Sequence, residues 1–522
     1  MDCETDTAET VMLPRKEFPD ADAKWYQIMA ALAVCYICIC GGNISGFTSP
    51  AIPSMRQVGY REESLCSNSS LLSTDVAASN NSLAERPENM STCVEMIVEE
   101  QVEFLNITDS QASWIGGLAP LGAFVGSMAA TISVKLLGPK GSILFLGSPI
   151  FLVSWVITAL APSILVVYIG RFIGGIALGL TISAAPLYIV ESASVELRGP
   201  LGTLTQFLFT FGVLTSFIFG SILNWRQLAW ASATIVLPSI LMLFLIPESP
   251  VWLLSKDRVK EAERAFYKLR GKSADFKSFL ECNAKLHNID VNMNSDGIRS
   301  GISFFWKLNK AERRSCLVAI ALCVFQQLSG INGINYYALT IFKAASEGSE
   351  AFVLNGHVSS IIVASVFCLA TLPSYLLIEK VGRKLLLIGS IILMAFSSFG
   401  IGIYFFIKEK VEDSGVFRMI PLILLIIFVL AFSSGFGPIL YILVAEILSP
   451  EIRPIYSPIA VGINWLAVFA ITKSFPDLIA ITGIYGVFWL YASLTIVAVF
   501  FVICFVPETK GKSEREIEKY FW

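Results

Sequence analysis

The chain has 522 residues, of which 55% are hydrophobic and 15% are charged, and its formal net charge is −3. A group of soluble domains could not bury so much apolar surface, so this composition excludes an ordinary soluble protein and indicates a membrane protein. The small negative charge also argues against a nucleic-acid partner.

Uncharged windows long enough to cross a bilayer core of about 30 Å recur along the chain. We call them spans 1 to 12, and they are, in order, Trp25–Met55, Ala112–Val134, Gly141–Pro162, Ile164–Val190, Leu201–Trp225, Gln227–Pro247, Ser315–Phe342, Val358–Ile378, Leu385–Ile407, Met419–Ala445, Pro454–Thr472 and Leu478–Pro507. Only span 4 contains a charged residue, Arg171. Because the windows show little strand-like alternation, they predict an all-α polytopic membrane protein with twelve transmembrane helices.

The residues around span 1 predict the orientation of the chain. Span 1 follows a polar tail and is too long for a cleavable signal peptide, so we expect it to stay as an anchor. Segment 56–111 holds a possible disulfide, Cys66–Cys93, and four N-x-Ser/Thr sequons, at Asn68, Asn80, Asn89 and Asn106. We therefore expect an extracellular or lumenal loop and cytosolic termini in a plasma-membrane protein, although the sequons fit an endolysosomal membrane equally.

The cysteines inside the spans do not predict a metal site. Cys35, Cys38 and Cys40 cluster in span 1, where free cysteine commonly serves as a small buried apolar residue. We expect neither a metal ion nor a cofactor.

Short motifs recur half a chain apart. A tyrosine, a glutamate and an arginine follow one another at Tyr188, Glu191 and Arg198 and again at Tyr441, Glu446 and Arg453. The chain therefore consists of two six-helix pseudo-repeats, residues 25–247 and 315–507. A cytosolic tail (1–24), a cytosolic helical linker (248–314) with an amphipathic helix over Lys256–Arg270, and a second cytosolic tail (508–522) complete it.

Charged residues repeat on the cytosolic side of both halves. This predicted network contains Arg171, Glu191, Arg198, Glu248, Glu379, Arg383, Glu446, Arg453 and Glu508. Pairs between the two halves would hold that face closed, and breaking them would open it. The alternative is that each charge caps a helix or reaches the interface by itself.

Neutral amides inside the apolar spans are candidate ligand contacts, because a polar group there needs a partner or a watery cavity. They are Gln206 in span 5, Gln326, Gln327 and Asn332 in span 7, and Asn464 beside Trp465 in span 11. Amides can pair with sugar hydroxyls, and an aromatic ring can cover the apolar face of a pyranose. Hydrogen bonding between packed helices is the alternative. Two glycines also predict that span 7 can break.

Short strings along nearly the whole chain carry a family resemblance: Thr48–Met55, Gly170-Arg171, Pro186–Glu191, Arg198-Gly199, Pro247–Pro250, the span 7 amides, Val381–Arg383, Glu446 and Pro507–Gly511. They resemble those of the sugar porters of the major facilitator superfamily, and Thr48–Met55 looks most like the facilitative glucose and trehalose carriers of animals. The resemblance implies a major facilitator fold, and sugar contacts from the five amides and Trp465 named above together with Tyr441, a position where many relatives have Trp. We expect a single chain to be functional. It also implies an outer gate at Tyr336 and Tyr337.

Several positions depart from the family pattern. Phe367 stands where an amide is usual, Ser433 replaces a frequent acid, and Gly138-Pro139-Lys140 replaces a Gly-Arg-Arg string. These departures leave sugar transport expected but put glucose itself in doubt.

Span 1 contains no acid that could couple protons to transport. Relatives that use protons are expected to carry an aspartate near Arg171, and the aligned position here is about Ile44. We therefore expect facilitated uniport of a hexose or trehalose, by a protein that is not an enzyme. A non-transporting sugar sensor and a proton-coupled sugar or polyol symporter are the alternatives.

Overall fold

The computed structural model describes residues 21–56, 107–271, 274–281, 308–346, 356–372, 374–408, 417–449, 452–512 and 514–522. Within these ranges the regular structure is helical, and helices fill all twelve spans. In the first half they are Ala21–Cys35, Ile37–Gly46 and Thr48–Arg56 in span 1, then Asp109–Ser142, a π-helical turn at Ile143–Gly147, Ser148–Ala159, Ile164–Ser192, Val195–Gly220 and Trp225–Leu245.

The second half follows the same plan with more interruptions. Span 7 comprises Lys310–Leu328, Ile331–Tyr336 and Ala338–Ser346, and span 8 comprises Gly356–Ala370 and Ser374–Val381. Spans 9 to 12 comprise Arg383–Lys408, a 3-10 turn at Phe417–Met419, Ile420–Ala431, a π-helical turn at Phe432–Phe436, Gly437–Ile447 and Arg453–Phe505. A last helix, Glu514–Tyr520, follows span 12.

The described ranges contain nine helical runs that are long and apolar enough to cross a membrane. Two of them, Asp109–Ala159 and Tyr456–Phe505, have 51 and 50 residues, about 75 Å at about 1.5 Å per residue, which is more than twice a bilayer core. Each run therefore holds two spans, divided by a glycine with positive φ, Gly138 (81°) or Gly483 (71°). With the shorter helix Gly356–Ala370, the total is twelve.

The turn between spans 11 and 12 lies later than the hydropathy windows suggest. The windows end span 11 at Thr472, but the helix continues to Gly483. Lys473 and Asp477 interrupt the apolar pattern without ending the helix, because they form an i,i+4 ion pair of 3.2 Å along it.

Glycines bring neighbouring helices of the first half into close contact. A Cβ added to Gly175 of span 4 would lie 2.1 Å from the carbonyl oxygen of Ala119 in span 2, and one added to Gly122 would lie 2.2 Å from that of Phe172. The same holds between spans 1 and 5, at Gly42 and Gly212. Helices in a membrane associate through such small-residue contacts because burial of apolar surface drives little association there.

The linker packs under the first half. Helix Val259–Arg270 turns Phe266 toward Phe276 and Phe279, with ring centroids 5.4 and 4.7 Å apart, and Arg270 donates a hydrogen bond of 3.1 Å to the carbonyl of Ala193 after span 4. We call the end of the bundle that carries this linker the linker side, and the opposite end, where segment 57–106 is inserted, the loop side.

The glycine contacts generate a stability prediction. Gly175→Ala should lower the melting temperature and the yield of folded protein, because its Cβ would press on the backbone of span 2. Gly389→Ala is the matched control, since a Cβ at helical Gly389 meets nothing within 4 Å and removes a glycine from a helix interior. Thermal unfolding in detergent compares the two, and equal melting temperatures would contradict the packing described.

Candidate functional site

Four of the predicted amides form one hydrogen-bonded group, which we call the amide cluster: Gln326, Gln327, Asn332 and Asn464. Gln327 Nε2 donates to Gln326 Oε1 at 3.1 Å and to Asn464 Oδ1 at 3.2 Å. Asn464 Nδ2 donates to Gln326 Oε1 at 3.1 Å, and Asn332 Nδ2 donates to Gln327 Oε1 at 2.5 Å. The cluster joins span 7 to span 11.

Backbone carbonyls hold the cluster in place. Gln326 Nε2 donates to the carbonyl of Phe436 at 2.8 Å, and Asn464 Nδ2 donates to that of Cys323 at 3.1 Å. Phe436 ends the π-helical turn of span 10, a local form often found at functional sites. Since Gln326, Gln327 and Asn464 are almost fully buried, these bonds offset the cost of placing amides among apolar helices.

A break in span 7 makes the cluster possible. Residues 327 and 332 would point about 140° apart on a continuous helix, at about 100° per residue. The predicted break occurs at Gly330, whose φ of 85° is left-handed and whose missing Cβ leaves room for the ring of Tyr491. The chain direction changes there, so Asn332 can return to Gln327.

The other predicted sugar contacts surround the cluster to different degrees. Trp465 follows Asn464, is 7% exposed, and its buried indole N–H has no described acceptor. Tyr441 is 44% exposed and lies near Cys323, one turn toward the linker side from the amides. Gln206 is partly exposed, and no described hydrogen bond joins its side chain to the cluster. Its role as a sugar contact stays a prediction.

The wall beside the π-helical turn is aromatic. Phe367 of span 8 packs edge-on against Phe432, with ring centroids 6.0 Å apart. Ser433, the next residue, is buried and its hydroxyl has no described partner. The two departures from the family pattern therefore lie together, one turn from the carbonyl that holds Gln326.

The loop side of the cluster is closed by the second predicted gate tyrosine. Tyr337 stacks on Phe475 at 5.0 Å, and its hydroxyl donates to the carbonyl of Thr472 at 3.1 Å. The backbone N–H of Leu339 donates to Ser49 Oγ at 3.1 Å, which ties span 7 to span 1. Both tyrosines are buried, so the broken outer part of span 7 rests against both halves.

A further contact between the halves was missed by sequence reasoning. The ring centroids of Trp114 in span 2 and Phe469 in span 11 lie 6.2 Å apart. The ammonium of Lys473 lies 5.3 Å from the centroid of the Trp114 ring. These residues are far apart in the chain and follow no motif. The charge of Lys473 at the end of an apolar window was the only available signal.

Arg171 is fully buried and is held by neutral groups. Its Nη2 donates to Thr48 Oγ1 at 2.9 Å, its Nε donates to the carbonyl of Ile115 at 3.2 Å, and its guanidinium lies 5.3 Å from the ring centroid of Phe47. The aspartate position of proton-coupled relatives aligns with about position 44, but the span 1 side chain that meets Arg171 is Thr48, one helical turn further along. Positions 44 and 48 are one turn apart on the same face of a helix, so a sequence pattern alone could not decide between them.

The carboxylates that end spans 6 and 12 bind backbone N–H groups in a repeated pattern. Glu248 accepts from Lys140 at 2.9 Å and from Gly141 at 2.8 Å, at the start of the span 3 helix. Glu508 accepts from Arg383 at 3.1 Å and from Lys384 at 2.9 Å, at the start of span 9. Each carboxylate caps a helix N-terminus, where the helix dipole favours negative charge.

The second carboxylate of each half is bound differently. Glu446 pairs with the guanidinium of Arg383 at 3.3 Å, whereas Glu191 accepts from the hydroxyl of Ser249. The repeat places Pro139 where Arg383 stands, so the first half has lost this guanidinium. The Gly138-Pro139-Lys140 departure coincides with a different partner for Glu191. Because Pro139 has no N–H, Glu248 binds the two N–H groups one position later in the repeat than the pair that binds Glu508.

The described contacts of these loops lie within one half or the other. Pairing between the halves therefore stays a prediction. The side chains of Arg198, Glu379 and Arg453 lie outside the described residues, as do the sequons at Asn68, Asn80, Asn89 and Asn106 and the cysteines Cys66 and Cys93.

The two capping carboxylates should respond differently to pH. Burial raises the pKa of Glu248, with only partial compensation from its N–H donors. Burial acts the same way on Glu508, but its four backbone donors outweigh it and lower the pKa. Ionised Glu508 therefore adds to the free energy of unfolding above the unfolded pKa of about 4.3. The contribution of Glu248 to the free energy of unfolding is largest below that pH, and it declines as the pH rises through the raised folded pKa.

Thermal unfolding of Glu508→Gln and Glu248→Gln between pH 5 and pH 8, about one to four units above the unfolded pKa, tests this difference. We expect Glu508→Gln to melt below the unmodified protein by a constant margin. The margin for Glu248→Gln should narrow as pH rises. Parallel pH profiles for the two variants would contradict the assignment.

Comparisons with known proteins agree with this architecture. The chain is 34% identical over 495 residues to the facilitated trehalose transporter Tret1 of Apis mellifera ligustica, covering 95% of this chain and 88% of that protein. It is 33% identical over 514 residues to that of Culex quinquefasciatus, covering 98% and 89%. The xylose transporter XylE from E. coli, in a partially occluded inward-open conformation, superposes with a TM-score of 0.70 at 22% identity, covering 94% of this chain and 100% of that one.

The likeness to XylE shows the fold, which is that of the major facilitator superfamily. A family model described as "Sugar (and other) transporter" matches residues 28–521, nearly the whole chain. The protein is a multi-pass membrane transporter and not an enzyme. The chain belongs to the Sugar (and other) transporter family.

Proposed function

We propose that the protein carries a neutral sugar, trehalose or a hexose, across the membrane by facilitated uniport. The amide cluster is the observation that carries this proposal. It places four neutral groups with both donors and acceptors at the junction of spans 7, 10 and 11. The relatives named as trehalose transporters support a disaccharide as the first candidate.

The chemistry of the cluster suits a polyhydroxylated solute. In the structure the amides satisfy one another, so a sugar that replaces those bonds with its own hydroxyls loses little hydrogen bonding on entry. The free indole N–H of Trp465 adds a donor beside Asn464. A cationic cargo would need carboxylates and an anionic one would need lysine or arginine, and none of the four cluster residues is charged.

The closed loop side fits one state of an alternating-access cycle. Tyr337, packed on Phe475, and Lys473, above Trp114, separate the cluster from that side. Opening would require the outer part of span 7 to leave spans 1 and 11, with Gly330 as the hinge. The loops that carry Glu248 and Glu508 would rearrange as the linker side closes.

The orientation follows the sequons of the inserted segment. We place the loop side outside the cell or in a lumen and the linker side in the cytosol, with the plasma membrane as the first candidate location. A single chain holds the whole cluster, so a monomer suffices for transport.

The surroundings of Arg171 favour uniport over proton symport. A proton-coupled carrier needs a titratable group that changes its charge when sugar binds. The groups that hold Arg171 here are a hydroxyl, a carbonyl and an aromatic ring. These groups do not titrate near neutral pH.

A sugar sensor that binds without transporting is the second candidate. The loss of the guanidinium at position 139 favours it, because the first half then lacks the ion pair that Arg383 and Glu446 form in the second. Binding of sugar with no flux in proteoliposomes would identify a sensor.

Removal of one cluster amide tests the site. Gln326→Ala and Asn332→Ala should each reduce uptake of tracer sugar into proteoliposomes at least tenfold, because each leaves partner groups unpaired and removes a sugar contact. The labelled sugar is chosen beforehand. Unlabelled sugars are tested for competition with the uptake of labelled trehalose or labelled glucose.

The matched control is Gln227→Ala, which removes an exposed amide from the helix cap at the loop-side end of span 6. It should keep near-normal uptake. Unchanged uptake in both cluster variants, at equal surface expression, would remove the cluster from the pathway.

The uniport mechanism predicts electroneutral transport without protons. Sugar added to proteoliposomes should equilibrate without alkalinising the medium and without current. Proton uptake driven by a sugar gradient would overturn the mechanism while leaving the amide site in place.

A further inference from the structure

We propose that Arg171 forms part of a binding site for a small monovalent anion such as chloride, between spans 1, 4 and 7. The proposal concerns a site separate from the amide cluster and goes beyond sugar transport. It rests on a buried positive charge and on polar groups around it that lack acceptors.

The charge of Arg171 has no described counter-charge. The residue is 0% exposed. Within residues 21–56 and 107–271 and the later described ranges, the structure shows no carboxylate within 4.0 Å of its guanidinium. A buried charge without an opposite charge is costly, and one hydroxyl and one carbonyl compensate for it only in part.

One end of the guanidinium is unsatisfied. Nε and Nη2 of Arg171 have acceptors in Ile115 and Thr48, but the buried Nη1 has none among the residues that the structure describes. Arginine can only donate hydrogen bonds, so the missing partner must be an acceptor.

Two hydroxyl groups beside Arg171 add a further donor. Tyr336 lies close to the guanidinium, and its hydroxyl pairs with that of Ser45. Both side chains are buried and neither hydroxyl has another described partner, so when one donates to the other, one hydroxyl hydrogen is left without an acceptor. Arg171 Nη1 and this hydroxyl pair supply the donors that a halide requires.

The position suggests a role in closing the loop side. Tyr336 belongs to the short helix after the Gly330 break, whereas Arg171 and Ser45 belong to the first half. An anion shared by these residues would link the halves in the closed state and would be released when span 7 moves outward.

Thermal unfolding of the purified full-length protein tests the site. Sodium chloride or bromide should raise the melting temperature saturably, by roughly 2 °C or more over sodium gluconate at equal ionic strength. No specific halide effect would mean that water fills the site, and the proposal would be overturned.

Two variants locate the effect. Arg171→Gln removes the charge and Thr48→Asp supplies a fixed carboxylate beside it, so both should abolish the halide effect. Arg258→Gln, which removes a guanidinium paired with Glu261 in the linker, should retain it. A halide effect that persists in either Arg171→Gln or Thr48→Asp would place the anion elsewhere.

If neither variant folds, bromide-soaked crystals of the unmodified protein decide. Anomalous density beside Arg171 Nη1 and the hydroxyl groups is expected. Crystals in which bromide scatters only from other positions would contradict the site.

Discussion

The hydrogen bonding of four amides, three of them almost fully buried, is the constraint on which the rest of the structure depends. A helix bundle in a bilayer has no water with which to satisfy polar side chains, so Gln326, Gln327, Asn332 and Asn464 must find partners in the protein or in a ligand. They find one another across spans 7 and 11. This arrangement requires the break at Gly330 and the carbonyl exposed by the π-helical turn of span 10.

The halves divide their tasks unequally. Glu248 and Glu508 each bind two successive backbone N–H groups at the start of a helix, one repeat position later in the first half than in the second. The amide cluster belongs to the second half alone, while the first half supplies Arg171 and the surfaces that close against span 7. The repeat thus accounts for the capped helix starts of both halves, whereas the amide cluster is a feature of the second half.

Hydropathy was sufficient to predict the twelve helices, because a bilayer fixes both the length and the polarity of a span. The glycines of span 7 were also sufficient to predict its break. The turn at Gly483 was misplaced since an ion pair within a helix resembles a loop in composition. Contacts such as Arg171 with Thr48 and Trp114 with Lys473 could not be predicted, because they depend on the register between helices far apart in sequence.

The most direct measurement is an electron cryomicroscopy structure with the transported sugar bound. The account predicts sugar hydroxyls within hydrogen-bonding distance of Gln326, Gln327, Asn332 and Asn464, with the bonds between Gln327 and Asn464 replaced by bonds to the sugar. Sugar density at another place, with the amide cluster still bonded to itself, would contradict the central claim that these amides form the transport site.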